Sequence, residues 1–238
     1  MRSILVMVAK EPVPERVKTR LCPHLSPARA AELYSFFVQD MVDEMCGLTA
    51  SAGDPAFCVS VALAYTPEES EAAFKAILPV PIPLFSQQGA DLGERLLHIF
   101  EKLCGKGYDQ VHIINSDSPD MPRSLISESA RLLEAPRTDL VLGPCTDGGY
   151  YLIGLKKPVP ELFQGIPWST DRVLAMTLER ACALGLSYAL LEPWYDVDTY
   201  DDLVLFLERN KNRKDDGCGP GWRTLKYLRG KTDDGTFP

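Results

Sequence analysis

The residues best able to do chemistry lie in short stretches that follow apolar runs. NSDSPDMP places Asp117 and Asp120 three residues apart, directly after the apolar run VHII. CTDGGYYL places Asp147 before two glycines, and WYDVDTYDDL offers Asp196 and Asp198. A bound Mg²⁺ takes one or two protein carboxylates and completes its coordination with phosphate oxygens and water. Single aspartates on separate loops therefore suit a site for a metal and a phosphate.

A basic loop near the amino terminus could bind that phosphate. AKEPVPERVKTRL carries Lys10, Arg16, Lys18 and Arg20 in a protein whose net charge is −8. Four cations just past a strand end suit a diphosphate or triphosphate. The charge pattern alone is also typical of a solvated surface loop, so this interpretation depends on the other strand ends.

Each carboxylate also has a structural interpretation. Asp117 before Ser-Pro could form an Asx turn, and Asp147 before two glycines fits an ordinary hairpin turn. For Asp120 we favour a cap at the amino end of the helix that follows it. Taken one at a time, these residues do not decide between a turn and a site.

The apolar runs before these loops have the pattern of buried strands. They are nearly continuous rather than alternating, which is typical of strands covered on both faces. The predicted strands cover residues 4–9, 59–65, 81–86, 110–115, 140–144, 150–155 and 187–193. Amphipathic helical patterns lie between most of them, which predicts an α/β fold with a mainly parallel sheet and helices on both faces. Such sheets bind ligands beyond the carboxyl ends of their strands.

Capping signals predict where several helices begin. Ser26, followed by proline, predicts the start of the first helix, and Thr66 predicts the start of the second through a capping box. Thr199 and Asp202 fit a capping-box variant at the last long helix. Asp198, directly before that cap, is left free for another role.

Composition limits the class of protein. The 238 residues are 45% hydrophobic, which is enough for a substantial core. An excess of acidic residues disfavours nucleic acid and anionic lipid as general partners, and no apolar run approaches the ~18 residues of a membrane span. Seven cysteines without a CxxC pair predict reduced thiols in a cytoplasmic protein. We predict one domain over residues 1–214 and a tail over 215–238 that is partly disordered or forms one short helix.

Taken in order, six motifs resemble one family. AKEPVPERVKTRL, QGADLGERL, NSDSPDMP, LGPCTDGGYYLIGL, IPWST and DVDTYDDL are similar to the glycosyltransferase-like proteins formerly grouped as a domain of unknown function. Those proteins are relatives of the nucleotide-diphospho-sugar transferases and of molybdenum-cofactor nucleotidyltransferases. The resemblance runs from about residue 3 to residue 207. It implies a single GT-A fold, a Rossmann-like αβα sandwich with a mainly parallel mixed sheet and a nucleotide site at the strand ends.

The resemblance also implies roles for individual residues. Those expected to bind the nucleotide are Lys10, Lys18, Arg20, Gln87, Gly93 and Arg95. Those expected to hold Mg²⁺ or Mn²⁺ are Asp117 and Asp198. Those that we place near the acceptor or the sugar are Asp147, Gly148, Gly149, Tyr150 and Trp168. Lys18 and Asp147 are the expected catalytic residues.

Two positions depart from the family pattern. Family members commonly read PxPGxVKTRL, whereas this chain has Glu15 at the glycine position. An acidic side chain there would place negative charge beside the phosphate loop. The strand before Asp117 commonly ends in glycine, and here it ends in Asn115, which also tolerates a tight backbone.

Three functions are compatible with these features. The favoured one is a Mg²⁺- or Mn²⁺-dependent transferase that moves a glycosyl group from a nucleotide sugar to an unknown small-molecule acceptor. In it, Lys18 stabilises the leaving diphosphate and Asp147 orients or deprotonates the acceptor hydroxyl. The second is a nucleotidyltransferase that joins an NTP to a phosphorylated acceptor and releases pyrophosphate. The third is a non-catalytic nucleotide-binding module, with Glu15 marking a degraded site. The sequence leaves a homodimer open.

Overall fold

Seven strands form a single sheet in the computed structural model, which describes residues 1–49, 59–214 and 217–232. The strands are β1 Ser3–Lys10, β2 Val59–Thr66, β3 Leu84–Ser86, β4 Gln110–Ile114, β5 Leu140–Pro144, β6 Tyr150–Leu155 and β7 Tyr188–Leu190. Each lies within or close to a predicted run. β3 is shorter than predicted because Pro81 and Pro83 have no N–H group to donate to a neighbouring strand.

The strand order is β3-β2-β1-β4-β6-β5-β7. All neighbouring strands are parallel except for β6, which runs antiparallel to both β4 and β5. The reversal follows from the tight turn that joins β5 to β6. The predicted mainly parallel mixed sheet is confirmed, and the carboxyl ends of β1, β2, β4 and β5 lie along one edge.

Helices cover both faces of the sheet. They are α1 Pro27–Thr49, α2 Glu71–Ile77, α3 Leu92–Cys104, α4 Arg123–Glu134, α5 Val173–Ala183, α6 Tyr200–Asn210 and α7 Trp222–Thr232. Buried residues of α1, α2, α4, α6 and α7 form one apolar cluster, and those of α3 and α5 belong to a second. Along β1, Leu5 and Met7 pack in the first cluster while Ile4 and Val6 pack in the second. Both faces of the strand are therefore buried, as its continuous apolar sequence predicts.

Two of the predicted helix caps are confirmed. The Ser26 hydroxyl accepts a hydrogen bond from the backbone N–H of Arg29 at 3.3 Å, one turn into α1. Thr199 and Asp202 form a reciprocal capping box at the start of α6. That box fixes the chain immediately after Asp198.

Two other predicted caps are wrong. Thr66 stays within β2, paired with Lys10 of β1, and its side chain caps no helix. Asp120 does not cap α4 either. Its buried carboxylate accepts hydrogen bonds from the Tyr195 hydroxyl at 2.6 Å and from Asn210 Nδ2 at 3.0 Å. The Asp120 carboxylate therefore bonds to residues distant in sequence instead of capping the helix that follows it.

The described residues also bear on the cysteine chemistry and on the length of the helices. Among the described residues Cys22, Cys104, Cys145 and Cys182 are free, in line with the reduced thiols predicted, and Cys58 lies outside the described residues. No helix within those residues has both the length and the apolar character needed to cross a membrane.

A buried carboxylate on α1 anchors the carboxyl-terminal helix α7. Asp40 accepts hydrogen bonds from the backbone N–H groups of Arg223 and Thr224, both at 2.9 Å, and from the Thr224 hydroxyl at 2.7 Å. These N–H groups lie in the first turn of α7, where a helix offers no internal partner. Asp40 is only 1% exposed, so the contact places a carboxylate on the positive end of α7 inside the protein.

Asp40 predicts a pH dependence of stability. Burial raises the pKa of Asp40 to about 6, although the bonds from Thr224 and Arg223 lower it. A carboxyl whose pKa is higher in the folded state favours folding below its unfolded pKa, and this contribution is lost as pH rises to about 6. We expect the free energy of unfolding of the wild type, relative to Asp40→Asn, to fall by about 2–3 kcal/mol between pH 4 and pH 6.5. Urea unfolding at each pH measures this, and a constant difference would contradict it.

Candidate functional site

A cleft of about 650 Å³ opens at the carboxyl edge of the sheet. It lies beyond the ends of β1 and β4, beside the loops that lead into α3 and α6. The predicted site residues that line it are Lys10, Lys18, Arg20, Gln87, Arg95, Asp117, Trp168 and Asp198. The predicted site residues outside its lining are Gly93, Asp147, Gly148, Gly149 and Tyr150. The structure therefore brings the expected nucleotide and metal residues together and separates them from the turn after β5.

The basic loop after β1 owes its shape to two residues with left-handed backbone. Glu15 has φ 67° and Lys18 has φ 49°. From Lys18 the chain enters a 3₁₀ turn over Thr19–Leu21, in which the Leu21 N–H donates to the Lys18 carbonyl at 2.9 Å. Val17, directly before Lys18, and Leu21, the last residue of the turn, are both buried. This tight path directs the Lys18 side chain inwards instead of into solvent.

Lys18 is the central cation of the cleft. Its side chain is 3% exposed, and its Nζ contacts Oδ1 of Asp117 and, at 2.8 Å, Oδ1 of Asp198. The ring centroids of Tyr34 and Phe37 lie 5.7 Å and 5.3 Å from the same nitrogen. Burial alone would lower the pKa of Lys18, but the charges of Asp117 and Asp198 outweigh burial and raise it. The ammonium therefore stays charged at neutral pH.

Hydrogen bonds also fix the backbone of Asp117 and of Asp198, the two residues whose carboxylates contact Lys18. The Val197 N–H donates to the Asp117 carbonyl at 2.8 Å, which joins the loop after β4 to the loop before α6. The Asp198 N–H donates to the Asp202 carboxylate at 3.2 Å. Burial raises the pKa of Asp198, but the charges of Lys18 and Arg20 outweigh it and hold that pKa below its ordinary value. Asp198 is therefore a stable anion.

Asp117 and Asp198 fit a divalent cation. Their side chains are 36% and 39% exposed, and each gives one oxygen, Oδ1, to Lys18. Each carboxylate thus retains a second oxygen at the cleft, and Oδ2 of Asp198 lies 3.9 Å from Arg20. Hard carboxylate oxygens suit Mg²⁺ and Mn²⁺, which complete their coordination with phosphate oxygens and water. These two residues could hold the ion, with Lys18 as their immediate neighbour.

Asp196 is a neighbouring carboxylate that the sequence offered as a candidate but to which the family resemblance assigned no role. It accepts hydrogen bonds from Asn115 Nδ2 and Ser118 Oγ, both at 2.7 Å, and from the Cys145 thiol at 3.3 Å. Burial and the nearby charge of Asp117 raise the pKa of Asp196 to about 6, although the bonds from Ser118 and Asn115 lower it. The alternation in DVD explains why Asp196 lies near Asp198, because residues two apart in an extended segment share a face.

Asn115 explains one departure from the family pattern. Its side-chain Nδ2 donates to Asp196, and its side-chain Oδ1 accepts from the Asp117 N–H at 3.3 Å. A glycine at this position could make neither contact. Asn115 therefore fixes the turn that carries Asp117 and at the same time holds the second acidic loop against it.

Asp147 lies beside Asp196 and outside the cleft lining. One potential ligand atom from each of Cys145, Asp147 and Asp196 lies within 4.8 Å of the other two. Burial and the charge of Asp196 raise the pKa of the Cys145 thiol, which donates a hydrogen bond to Asp196. Asp147 Oδ1 accepts the Gly149 N–H at 2.9 Å and closes the β5–β6 turn. The predicted hairpin turn is thus confirmed.

The turn after β5 packs directly on the start of α5. The Leu174 N–H donates to the Gly148 carbonyl at 2.9 Å. Gly148 has φ 92°, and a Cβ atom there would lie 2.1 Å from the carbonyl oxygen of Asp171. Only glycine allows this approach, so the position of Asp147 depends on Gly148.

Trp168 forms an apolar part of the cleft wall. A Cβ atom on Gly93 would lie 2.8 Å from Trp168 Nε1, so the missing side chain makes room for the indole. Tyr150 contacts the same indole edge-on, with ring centroids 6.4 Å apart. Gly93 and Tyr150 lie outside the cleft lining but position a residue that belongs to it.

Gln87 and Arg95 join the cleft to the sheet. Gln87 Nε2 donates to the carbonyl of Ala64 at 2.8 Å and to that of Ala9 at 3.3 Å, so it bridges the ends of β2 and β1. Arg95 Nε donates to the Gly89 carbonyl at 3.1 Å and shapes the loop before α3. Both residues line the cleft and also stabilise its wall.

The first prediction from this site concerns Gly148. We expect Gly148→Ala to reduce the free energy of unfolding by about 1–3 kcal/mol more than Gly185→Ala. Gly185 has a similar positive φ of 68°, but a Cβ atom there meets nothing within 4 Å, so it isolates backbone strain from steric overlap. Chemical denaturation of the two variants measures the difference. Equal losses would mean that the turn has room to move away from Asp171.

The second prediction concerns Glu15, whose side chain is exposed and absent from the cleft lining. A left-handed backbone costs a residue with a Cβ atom about 1–2 kcal/mol, and glycine avoids that cost. Glycine also raises the entropy of the unfolded chain, so we expect Glu15→Gly to increase stability by about 0.5–1 kcal/mol. Glu15→Ala, which keeps the strain and removes the charge, is the matched control. An equal gain in the alanine variant would assign the effect to charge.

The chain is similar in sequence and in structure to known proteins. Residues 49–170 match the family DUF2064, which is described as uncharacterized protein conserved in bacteria. A crystal structure from Desulfovibrio desulfuricans G20, provisionally described as a nucleotide-diphospho-sugar transferase, is 34% identical. The alignment covers 98% of this chain and 96% of that one, with a TM-score of 0.85. No curated protein matches the sequence.

More distant structures share the fold. CMP:2-keto-3-deoxy-manno-octonic acid synthetase, complexed with CTP, aligns with a TM-score of 0.57 at 13% identity, over 90% of this chain and 100% of that one. Glucosyl-3-phosphoglycerate synthase from Mycobacterium tuberculosis, complexed with Mn²⁺, UDP and glucosyl-3-phosphoglycerate, aligns with a TM-score of 0.50 at 13% identity, over 88% and 77%. With the sheet order and the cleft described above, the chain has the predicted GT-A fold and belongs to the DUF2064 family.

Proposed function

We propose that the protein is a Mg²⁺- or Mn²⁺-dependent transferase that moves a glycosyl group from a nucleotide-diphospho-sugar to a small-molecule acceptor. One observation carries the proposal: Asp117, Asp198 and Lys18 converge on the wall of a cleft of about 650 Å³. That volume is in the range of small-molecule sites. The description of the Desulfovibrio relative, which aligns over nearly the whole chain, points to the same class of donor.

The cations of the cleft suit the donor's diphosphate. Lys10, Arg16, Arg20 and Arg95 all line it, and Lys18 lies deeper against the carboxylates. A divalent ion at Asp117 and Asp198 would add positive charge on the same side. Phosphates in the cleft would then lie near both the ion and the basic loop, where an otherwise acidic protein attracts an anion.

Glycosyl transfer needs stabilisation of the leaving group and removal of a proton. The bond between the anomeric carbon and the diphosphate oxygen breaks, and negative charge grows on the diphosphate as the acceptor oxygen bonds to that carbon. A bound metal would supply Lewis-acid stabilisation of that charge. Lys18 would stabilise it from the protein side. Asp147, which is exposed on the turn after β5 beside Asp196, would orient the hydroxyl of an acceptor bound there and take its proton.

A nucleotidyltransferase is the second candidate function, and the convergence of two carboxylates on one point favours it. A metal held by both Asp117 and Asp198 would also suit attack by a phosphorylated acceptor on an NTP, with pyrophosphate as the leaving group. The two reactions differ in the product that leaves. The first releases a nucleoside diphosphate and the second releases pyrophosphate.

The test is a panel of nucleotide sugars and NTPs with Mg²⁺ or Mn²⁺, including candidate sugar and sugar-phosphate acceptors. We expect nucleoside diphosphate from at least one nucleotide sugar, lost on adding EDTA and reduced by about 10²–10³-fold in Asp117→Asn. Asp139→Asn is the control, because Asp139 lies at the opposite edge of the sheet and bonds to the Ser187 N–H. Thermal shifts with each ligand report binding separately from turnover.

The outcomes separate the three candidate functions. Pyrophosphate release from an NTP would replace glycosyl transfer with nucleotidyl transfer. Binding that depends on metal, without turnover of any substrate, would favour the non-catalytic module. Absence of both binding and turnover across the panel would reject the proposed function.

A further inference from the structure

Lys18 occupies the place between the two carboxylates that would hold the metal. Its ammonium contacts Oδ1 of both Asp117 and Asp198, and the Asp198 contact measures 2.8 Å. One positive charge already neutralises part of the pair. A divalent cation held by the second oxygens of the same carboxylates would lie beside this ammonium and be repelled by it, so the ion competes with Lys18 for the charge of the two anions.

The surroundings of Lys18 leave one direction for its ammonium to move. Tyr34 and Phe37 lie behind it and are 3% and 0% exposed. The Tyr34 hydroxyl is held by Ser116 Oγ at 2.6 Å and by the Lys10 N–H at 3.2 Å, so this wall is fixed. The remaining side is the cleft, whose lining includes Lys18. Displacement would carry the ammonium towards the space assigned to phosphates.

An ammonium displaced into an empty cleft would lose two charged partners and gain only water. If an anion occupies the cleft, the same movement exchanges carboxylate partners for phosphate oxygens. The anion and the metal would then each increase the affinity of the protein for the other. Linkage requires this reciprocity, because both ligands favour the arrangement in which the Lys18 ammonium has left the two carboxylates.

We propose that Lys18 is an internal cation that blocks the Asp117–Asp198 metal site until a diphosphate in the cleft draws its ammonium away. This inference rests on the proposed function for the identity of the metal site. It goes further in predicting an order of assembly: the free protein binds a divalent ion weakly, and the ion enters together with the anionic ligand. Lys18 thus positions the metal site in addition to stabilising the leaving group.

The experiment measures Mn²⁺ binding to the ligand-free protein by the loss of the free-ion electron paramagnetic resonance signal. Lys18→Met removes the competing charge and keeps much of the side-chain volume. Lys10→Met is the matched control, since Lys10 is an exposed cation of the same cleft whose charge acts on Asp198 but which forms no ion pair with either carboxylate. We expect Lys18→Met to bind Mn²⁺ at least about tenfold more tightly than wild type, and Lys10→Met to bind within about threefold.

An affinity in Lys18→Met equal to or weaker than wild type overturns the inference. An equal gain in both variants also overturns it, because general charge would then explain the effect. The donor panel described above decides the proposed function independently. If the wild type turns over a donor but Lys18→Met shows no gain in Mn²⁺ affinity, only the inference about Lys18 is rejected. If Lys18→Met gains Mn²⁺ affinity but the wild type turns over no donor, only the transferase function is rejected.

A second measurement uses the wild-type protein and does not depend on the stability of Lys18→Met. With ¹⁵N-labelled lysine, the Lys18 ammonium resonance is assigned by its absence from Lys18→Arg, which keeps the charge. We expect Mg²⁺ with inorganic pyrophosphate to move this resonance, and Mg²⁺ alone at the same concentration to leave it in place. If Mg²⁺ and pyrophosphate shift other cleft residues while the Lys18 resonance stays unchanged, the inference is overturned.

Discussion

A single buried ammonium determines how the loops at the carboxyl edge of the sheet are arranged. A charge in the protein interior is tolerated only when it is paired, and Lys18 is paired twice, with Asp117 and Asp198. Its partners come from the loop after β4 and the loop before α6, far apart in sequence. Neither loop can move far without leaving a buried charge unpaired. The aromatic wall from α1 completes the enclosure, so the first helix also belongs to the site.

The acidic residues beyond this pair are stabilised by hydrogen bonds instead of cations. Asp196 receives three donors, from Asn115, Ser118 and Cys145. Asp147 is bound by the backbone of its own turn. Negative charge is therefore graded across the edge of the sheet, with full ion pairing next to the cleft and hydrogen-bonded carboxylates behind it. The ion-paired residues Asp117 and Asp198 therefore differ from Asp196 and Asp147 in how their charge is stabilised.

Sequence was sufficient for the strands and for the order of the layers, because continuous apolar runs and capping residues are local signals. The family resemblance named Asp117 and Asp198 as a pair, and the structure brings both to Lys18 at the carboxyl edge of the sheet. Local sequence misplaced Asp120, because hydrogen bonds from Tyr195 and Asn210 arise only after distant segments meet. The sequence offered Asp196 as a candidate, but its hydrogen bonds also arise only after distant segments meet. The placement of Lys18 between its partners depends on a left-handed backbone that residue types alone do not specify.

The acidic composition and the cationic cleft are compatible because the range of an electrostatic interaction is short. At physiological salt, charges beyond about 8 Å are strongly screened, so a small anion responds to nearby groups more than to the net charge of −8. The cleft concentrates Lys10, Arg16, Arg20 and Arg95 where phosphates would lie. Acidic residues elsewhere discourage nucleic acid and anionic surfaces, which contact a wide area. A small anion in the cleft would contact these four cations without covering the acidic surface elsewhere, and this difference in footprint favours a small polyanion over a large one.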